Sequence, residues 1–318
     1  MYPIFHEINK NGLIPTVYAA SASEALAAAK ALTAGGIWCA EFCGAGAESG
    51  IKAVKEQIEG FIAGASYIRT EEQADALYAA GADYLATAGY NDALIDYCAA
   101  KDYPLLPGVA TVGELEKAAA HGYDVVKVFP IAALGGVAFV KALGEMYGNI
   151  KLVCDGGICP CETDDYVECY NVFACVPDGV AAAELIRAGK FDEITANAKE
   201  AVKSMLDFKL FHVGVNMSDA KSAKEVVDTF IDTFHLGFRE SPAAYFGDNA
   251  VEIMKTPGKG AMGHIGFWTA SVDKAITYLQ RKGFTMNVQG RGINPLGQSV
   301  ICYMEEEIGG FGIHVSKR

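Results

Sequence analysis

The chain has 318 residues, 51% apolar and 20% charged, which allows a substantial core and excludes global disorder. Its net charge of −13 and pI near 4.9 argue against nucleic acid or an anionic membrane as partner. No apolar run reaches transmembrane length, and Met1 to Gly12 lacks a basic segment followed by an apolar core, so neither a membrane span nor a signal peptide is expected. The charge is uneven. Residues 1–204 carry 14 Lys/Arg against 27 Asp/Glu, while residues 205–318 carry 12 of each, a break that suggests a domain boundary. The nine cysteines lie mostly inside apolar runs, with Cys159-Pro160-Cys161 the one close pair and no Cys-x-x-Cys. That usage fits buried free thiols in a reducing cytoplasm better than a disulfide framework or a zinc cluster.

From Gly12 onward short apolar runs alternate with helical patterns. The runs are Leu13–Tyr18, Ile37–Phe42, Phe61–Ser66, Tyr84–Ala88, Pro104–Val109, Val125–Pro130, Ile150–Asp155 and Val172–Val176. Segments such as Ser23–Thr33, Glu71–Ala80, Asn91–Ala100 and Thr111–His121 lie between them. Three helix starts carry a capping-box pattern just after a strand: Ser21-x-x-Glu24, Thr70-x-x-Gln73 and Thr111-x-x-Glu114. Eight strands alternating with helices in about two hundred residues predict an α/β fold, a (β/α)8 TIM barrel over residues 1–205. A dinucleotide-binding fold would need a Gly-x-Gly-x-x-Gly turn after the first strand, where Tyr18-Ala-Ala-Ser-Ala-Ser stands instead.

The sixth run, Tyr123-Asp-Val-Val-Lys-Val-Phe-Pro130, holds a lysine among β-branched and aromatic residues. Strand alternation places Val125, Lys127 and Phe129 on one face. Desolvation there would lower the lysine pKa and yield a nucleophilic amine near neutrality. The other reading of the same residue is a lysine that snorkels from the strand end or pairs with a carboxylate. Barrel chemistry gathers at the carboxyl ends of the strands, where the sequence places Glu41, Ser66, Thr87, Pro107, Lys127 and Asp155-Gly156-Gly157. An amine nucleophile and a carboxylate for proton transfer are the minimum for Schiff-base chemistry on a carbonyl.

Residues 10–203 resemble the 2-keto-3-deoxy-6-phosphogluconate / 4-hydroxy-2-oxoglutarate aldolases, class I pyruvate aldolases built on this barrel. The resemblance is carried by Ala34-Gly-Gly-Ile, the Glu41 strand, Pro104-Leu-Leu-Pro-Gly-Val-Ala-Thr-Val-Gly-Glu-Leu115, Val126-Lys-Val-Phe-Pro130, Gly135-Gly136 and Asp155-Gly-Gly-Ile158. It implies that Lys127 is the Schiff-base lysine, Glu41 the general acid/base, and that no cofactor beyond the lysine imine is needed in the barrel. Ser66 falls where the family has a substrate-contacting Thr; Thr87, Pro107, Phe129, Asp155, Gly156, Gly157 and Asp178 complete the expected substrate contacts. The Gly156-Gly157 N–H groups are a candidate seat for an anion. The sequence also departs from the family. Ala45 stands where the family has a carboxylate-clamping arginine, Asp155 replaces a Thr, and Val176-Pro-Asp178-Gly179 replaces the phosphate-binding Gly-Gly-Ser. A phosphorylated sugar acid is therefore not the expected substrate. A homo-oligomer, a trimer by the same resemblance, is expected.

Beyond residue 205 the pattern repeats. Phe211-His-Val-Gly-Val opens one unit ending at Val251-Glu-Ile, and Gly263-His-Ile-Gly-Phe opens a second ending at Gly312-Ile-His-Val, with His212 and His264 offset by 52 residues. Two βαβββ units over 206–318 make an α+β domain that resembles the vicinal oxygen chelate superfamily, the fold of glyoxalase I and extradiol dioxygenases. By that resemblance His212, Glu252, His264 and His314 are expected to hold a divalent metal, Zn, Fe, Mn or Ni, as imidazole and carboxylate bind all four. His6, His121 and His235 are assigned no role. The leading expectation is a lysine-dependent aldolase that acts on a small keto compound and releases pyruvate and an aldehyde. The alternatives are a metal-dependent glyoxalase- or dioxygenase-like enzyme in the second domain beside an inactive barrel, and a non-catalytic metabolite-binding protein.

Overall fold

β-Branched and small apolar residues build nine short strands in the first unit of the computed structural model, which describes all 318 residues. They are β1 (Thr16–Tyr18), β2 (Cys39–Cys43), β3 (Ile62–Ala65), β4 (Tyr84–Ala86), β5 (Leu105–Leu106), β6 (Gly108–Val109), β7 (Val125–Val128), β8 (Lys151–Asp155) and β9 (Val172–Val176). All pair in parallel, in the orders β1-β2-β3-β4-β5 and β6-β7-β8-β9. Pro107, which has no N–H for the ladder, separates β5 from β6 within one extended run, so the ring has eight strands. Its carbonyl still accepts the Lys127 N–H at 2.9 Å. The ring closes where the Ile14 N–H donates to Cys175 O and the Cys175 N–H donates to Gly12 O, both at 2.9 Å.

The three expected helix starts are capped by their Ser or Thr: Ser21, Thr70 and Thr111 accept the N–H groups of Glu24, Gln73 and Glu114. The return bond differs between them. Glu114 reaches the Thr111 N–H and closes a full capping box, whereas Glu24 and Gln73 bond one residue earlier, at Ala20 and Arg69. The helix Pro3–Asn11 is not among the elements expected from the sequence. Phe5 and Ile8 on it pack into the barrel interior with Ile14, Cys39, Ile62 and Val125. Burying such side chains contributes about 1.5–3 kcal/mol each.

The chain divides into two compact units, Met1–Met205 and Leu206–Arg318. The second contains β10 (Lys209–Asn216), β11 (Phe238–Glu240), β12 (Ala244–Gly247), β13 (Val251–Met254), β14 (Gly263–Thr269), β15 (Gly292–Ile293), β16 (Ser299–Ile308) and β17 (Phe311–Lys317). These form one mixed sheet in the order β11-β12-β13-β10-β14-β17-β16-β15. Helix Ala220–Phe234 follows β10 and helix Val272–Arg281 follows β14. At the sheet centre β10 and β14 run antiparallel, and each has a parallel neighbour, β13 and β17 respectively.

Seven cysteines are buried free thiols, but Cys159 and Cys161 are joined as a disulfide, which corrects the expectation of free thiols for that pair. Pro160 turns the chain between them so that their Cα atoms lie 5.1 Å apart, within bridging range. No helix is long and apolar enough to cross a membrane.

Candidate functional site

Interior positions along the barrel strands change character toward the carboxyl ends. Cys39, Ile62, Val125 and Val153 belong to the apolar cluster; two residues on, at the same facing, stand Glu41, Gly64, Lys127 and Asp155. Lys127 is 2% exposed and Glu41 is fully buried. The Lys127 ammonium donates to Glu41 Oε2 across the ring and lies 3.1 Å from Asp155 Oδ2. The Tyr84 hydroxyl donates to the other oxygen, Glu41 Oε1, at 3.2 Å. Gly64 makes this possible: a Cβ there would sit 2.3 Å from the Tyr84 ring. Neither Gly64 nor Tyr84 is marked by any sequence motif.

Burial alone would lower the Lys127 pKa, but the Glu41 and Asp155 carboxylates outweigh it and hold the amine well above the ordinary lysine range. This corrects the expectation of an amine made neutral by desolvation. The amine is dry, and it rests as an ammonium. Burial raises Glu41, so the carboxyl is ready to take a proton from its partner. Asp155, which in place of a Thr would repel a substrate carboxylate, is paired with the Lys127 ammonium, which it shares with Glu41.

The remaining expected contacts fall around this centre in different ways. Ser66 is buried beyond the end of β3, and its Oγ has no hydrogen-bond partner. Thr87 Oγ1 is committed to the Gly108 N–H at 2.9 Å. The Phe129 ring packs on Gly156, whose φ of +90° and 2.8 Å clearance to that ring exclude a side chain. The Gly156-Gly157 anion seat is not free: the Gly157 N–H donates to Asp178 Oδ2 at 2.9 Å. A carboxylate of the chain itself stands where an anionic group was expected to dock.

The chain matches the KDPG and KHG aldolase family over residues 4–197. It belongs to that family. KDPG and KHG aldolases are class I lyases that work through a lysine Schiff base and act on small keto acids, which makes this protein an aldehyde-lyase. It is 33% identical over 205 residues to a 2-dehydro-3-deoxy-phosphogluconate aldolase of Treponema pallidum, covering 64% of this chain and 98% of the relative. A KHG/KDPG aldolase of Escherichia coli is 29% identical, over 60% of this chain and 91% of the relative. Among solved structures, KDPG aldolase from Legionella pneumophila, with pyruvate captured as a covalent carbinolamine, is 27% identical with a TM-score of 0.58, covering 62% of this chain and 97% of that one. The aldolase match ends before the second unit begins.

In that second unit the repeated His-x-Gly pattern has a geometric meaning. His212 on β10 lies opposite Gly266, and His264 on β14 lies opposite Gly214. A Cβ at Gly214 would come within 2.0 Å of the His264 ring, and one at Gly266 within 2.7 Å of His314 and 2.9 Å of His212. The glycines clear a space that imidazoles fill. His212 Nε2 stands 3.0 Å from His264 Nε2 and 3.2 Å from His314 Nε2, while Glu252 Oε2 is 3.2 Å from both His212 and His264. His314 Nδ1 is 3.0 Å from Ser316 Oγ, so a hydrogen bond there orients the ring with Nε2 toward the cluster. Burial and the two neighbouring imidazoles push His314 down to about 3.

Proposed function

We propose that the barrel cleaves a 2-keto acid by a retro-aldol reaction on Lys127 and releases pyruvate and an aldehyde. The observation that supports this reading is the Lys127 amine, buried and hydrogen-bonded to the Glu41 carboxyl. Glu41 takes the ammonium proton, and the free amine attacks the keto carbon. Loss of water from the carbinolamine gives a protonated imine. The C3–C4 bond then breaks with its electron pair drawn toward the imine nitrogen, while the proton of the C4 hydroxyl passes to a carboxylate, directly or through water. Protonation of the resulting enamine at C3 and hydrolysis return pyruvate and Lys127. Incubation with pyruvate and cyanoborohydride is expected to add a reduced pyruvyl group to Lys127, seen by peptide mass analysis. No adduct from a broad panel of 2-keto acids would remove the proposal.

The reading excludes a phosphorylated sugar acid as preferred substrate. Asp178 engages the Gly157 N–H and Pro177 supplies none, so a phosphate would meet negative charge instead of donors.

A second reading concerns residues 206–318, which we read as a glyoxalase-like vicinal oxygen chelate module. The ligand atoms of the three imidazoles lie within 4.8 Å of one another, and Glu252 Oε2 is 3.2 Å from Nε2 of both His212 and His264, a clustering of nitrogen and oxygen donors that suits a divalent cation. His212, His264 and His314, with the Glu252 carboxylate beside two of them, would hold a divalent cation, Zn, Fe, Mn or Ni. A cation bound there supplies Lewis-acid polarisation of a substrate oxygen. Elemental analysis of untagged protein, with His212→Ala and His264→Ala as controls, tests it; absence of any stoichiometric metal in the wild type argues against it.

A further inference from the structure

The arginine missing at position 45 leaves the substrate carboxylate without its family partner, and the surroundings of Ala45 contain a replacement. A cavity of about 590 Å³ opens at the carboxyl ends of β2 and β3, with Cys43, Ala45, Ser66, Tyr67 and Arg69 on its walls. This size accommodates a small organic ligand. It adjoins the reacting centre. Lys127 reaches across the ring to Glu41 on β2, and Cys43 follows Glu41 by two residues on the same strand. Ser66, whose N–H donates to Phe42 O at 3.1 Å, contributes the unpartnered buried hydroxyl already described.

Arg69 arrives on this wall by a local backbone device. Tyr67 takes the left-handed conformation, φ 60°, which is uncommon outside glycine and costs on the order of 1 kcal/mol or more. That turn buries Ile68, whose N–H donates to Ala86 O at 3.2 Å, and presents Arg69 at the surface of the cavity. The backbone N–H of Arg69 is held by Gln73 Oε1 at 2.9 Å. Its guanidinium is paired with no carboxylate of the fold, Glu48 on the same cavity included. An unpaired, exposed guanidinium beside a space vacated by a small residue is arranged for an incoming anion.

We propose that Arg69 binds the carboxylate of the 2-keto acid in this cavity, in the room that Ala45 leaves. The proposal deepens the lysine-imine reading and rests on it. Arg69 is a specificity residue here: it selects carbonyl compounds that carry an anionic group near the carbonyl, and takes no part in proton transfer. The Tyr67 hydroxyl, raised first by burial and then by Asp155, is also influenced by Lys127 and Glu41, which agrees with a cavity that adjoins the amine.

The test uses the full-length protein, with cyanoborohydride trapping of two ketones that differ in charge, pyruvate and acetone. For Arg69→Ala the pyruvate concentration giving half-maximal labelling of Lys127 is expected to rise about ten- to hundredfold, the range for a lost charge-assisted pair. Labelling by acetone is expected to stay unchanged. Adding Ala45→Arg to the Arg69→Ala variant is expected to restore pyruvate labelling, since both positions face one cavity. Wild-type labelling of Arg69→Ala by pyruvate would overturn the proposal, as would an equal loss with both ketones. Failure of both ketones to label wild-type Lys127 would instead bring down the imine reading beneath it.

Discussion

Lys127 has two carboxylate partners, so replacing one does not strand it. In Glu41→Gln the ammonium keeps Asp155 at 3.1 Å, and the fold is expected to survive while proton transfer is lost. Turnover should fall about 10²- to 10⁴-fold, measured as pyruvate release with the far-ultraviolet spectrum unchanged. The pH dependence follows from the same pair. The carboxylates raise the Lys127 pKa, so at neutral pH the amine is mostly charged, and each rise in pH increases the fraction able to attack. The initial rate of pyruvate trapping should therefore climb from pH 6 to pH 9; a rate that is flat or falls across that range would contradict a resting ammonium. Lysine among apolar neighbours is visible in the chain as written. Its charge state is not, because the carboxylates that set it stand on other strands, Glu41 86 residues away and Asp155 after the next crossover.

The loop from β8 to the short helices after it and the loop after β9 meet through two bonds, Asp178 N–H to Ile158 O and Gly157 N–H to Asp178 Oδ2. Asp178→Ser would free the Gly157 donor and remove the opposing charge. Relative kcat/KM for a phosphorylated over an unphosphorylated 2-keto acid is expected to rise about tenfold, and no rise would place the discrimination elsewhere. In the second unit the pairing of β10 with β14 puts a glycine opposite each of two histidines. Gly266→Ala intrudes on the His314 and His212 rings and should abolish stoichiometric metal by elemental analysis while leaving Lys127 trapping intact. The repeat of His-x-Gly at a 52-residue offset is legible in the sequence. That each glycine serves the histidine of the other strand is a consequence of antiparallel register, which no local pattern states.

Across the molecule, two polar clusters of different kinds occupy separate units, a buried lysine among carboxylates and a group of imidazoles beside a carboxylate. Chelator treatment should therefore strip metal without changing Lys127 trapping. Readdition should raise the melting temperature, since a ligand bound only to the native state adds about 2.7 kcal/mol at a hundredfold excess over its Kd. The sequence by itself determined the eight alternating strands, the helix caps and the lysine at its strand end, because periodicity, capping and strand facing are decided within a few neighbouring residues. It did not reveal the Pro3–Asn11 helix with Phe5 and Ile8 packed into the barrel interior, the clearance of Gly64 for Tyr84, the Asp178 carboxylate on Gly157, or Arg69 on the same cavity as Ala45. Those depend on groups brought together from distant parts of the chain. Only tertiary structure decides which charges and donors are already satisfied by the protein and which are left for a ligand.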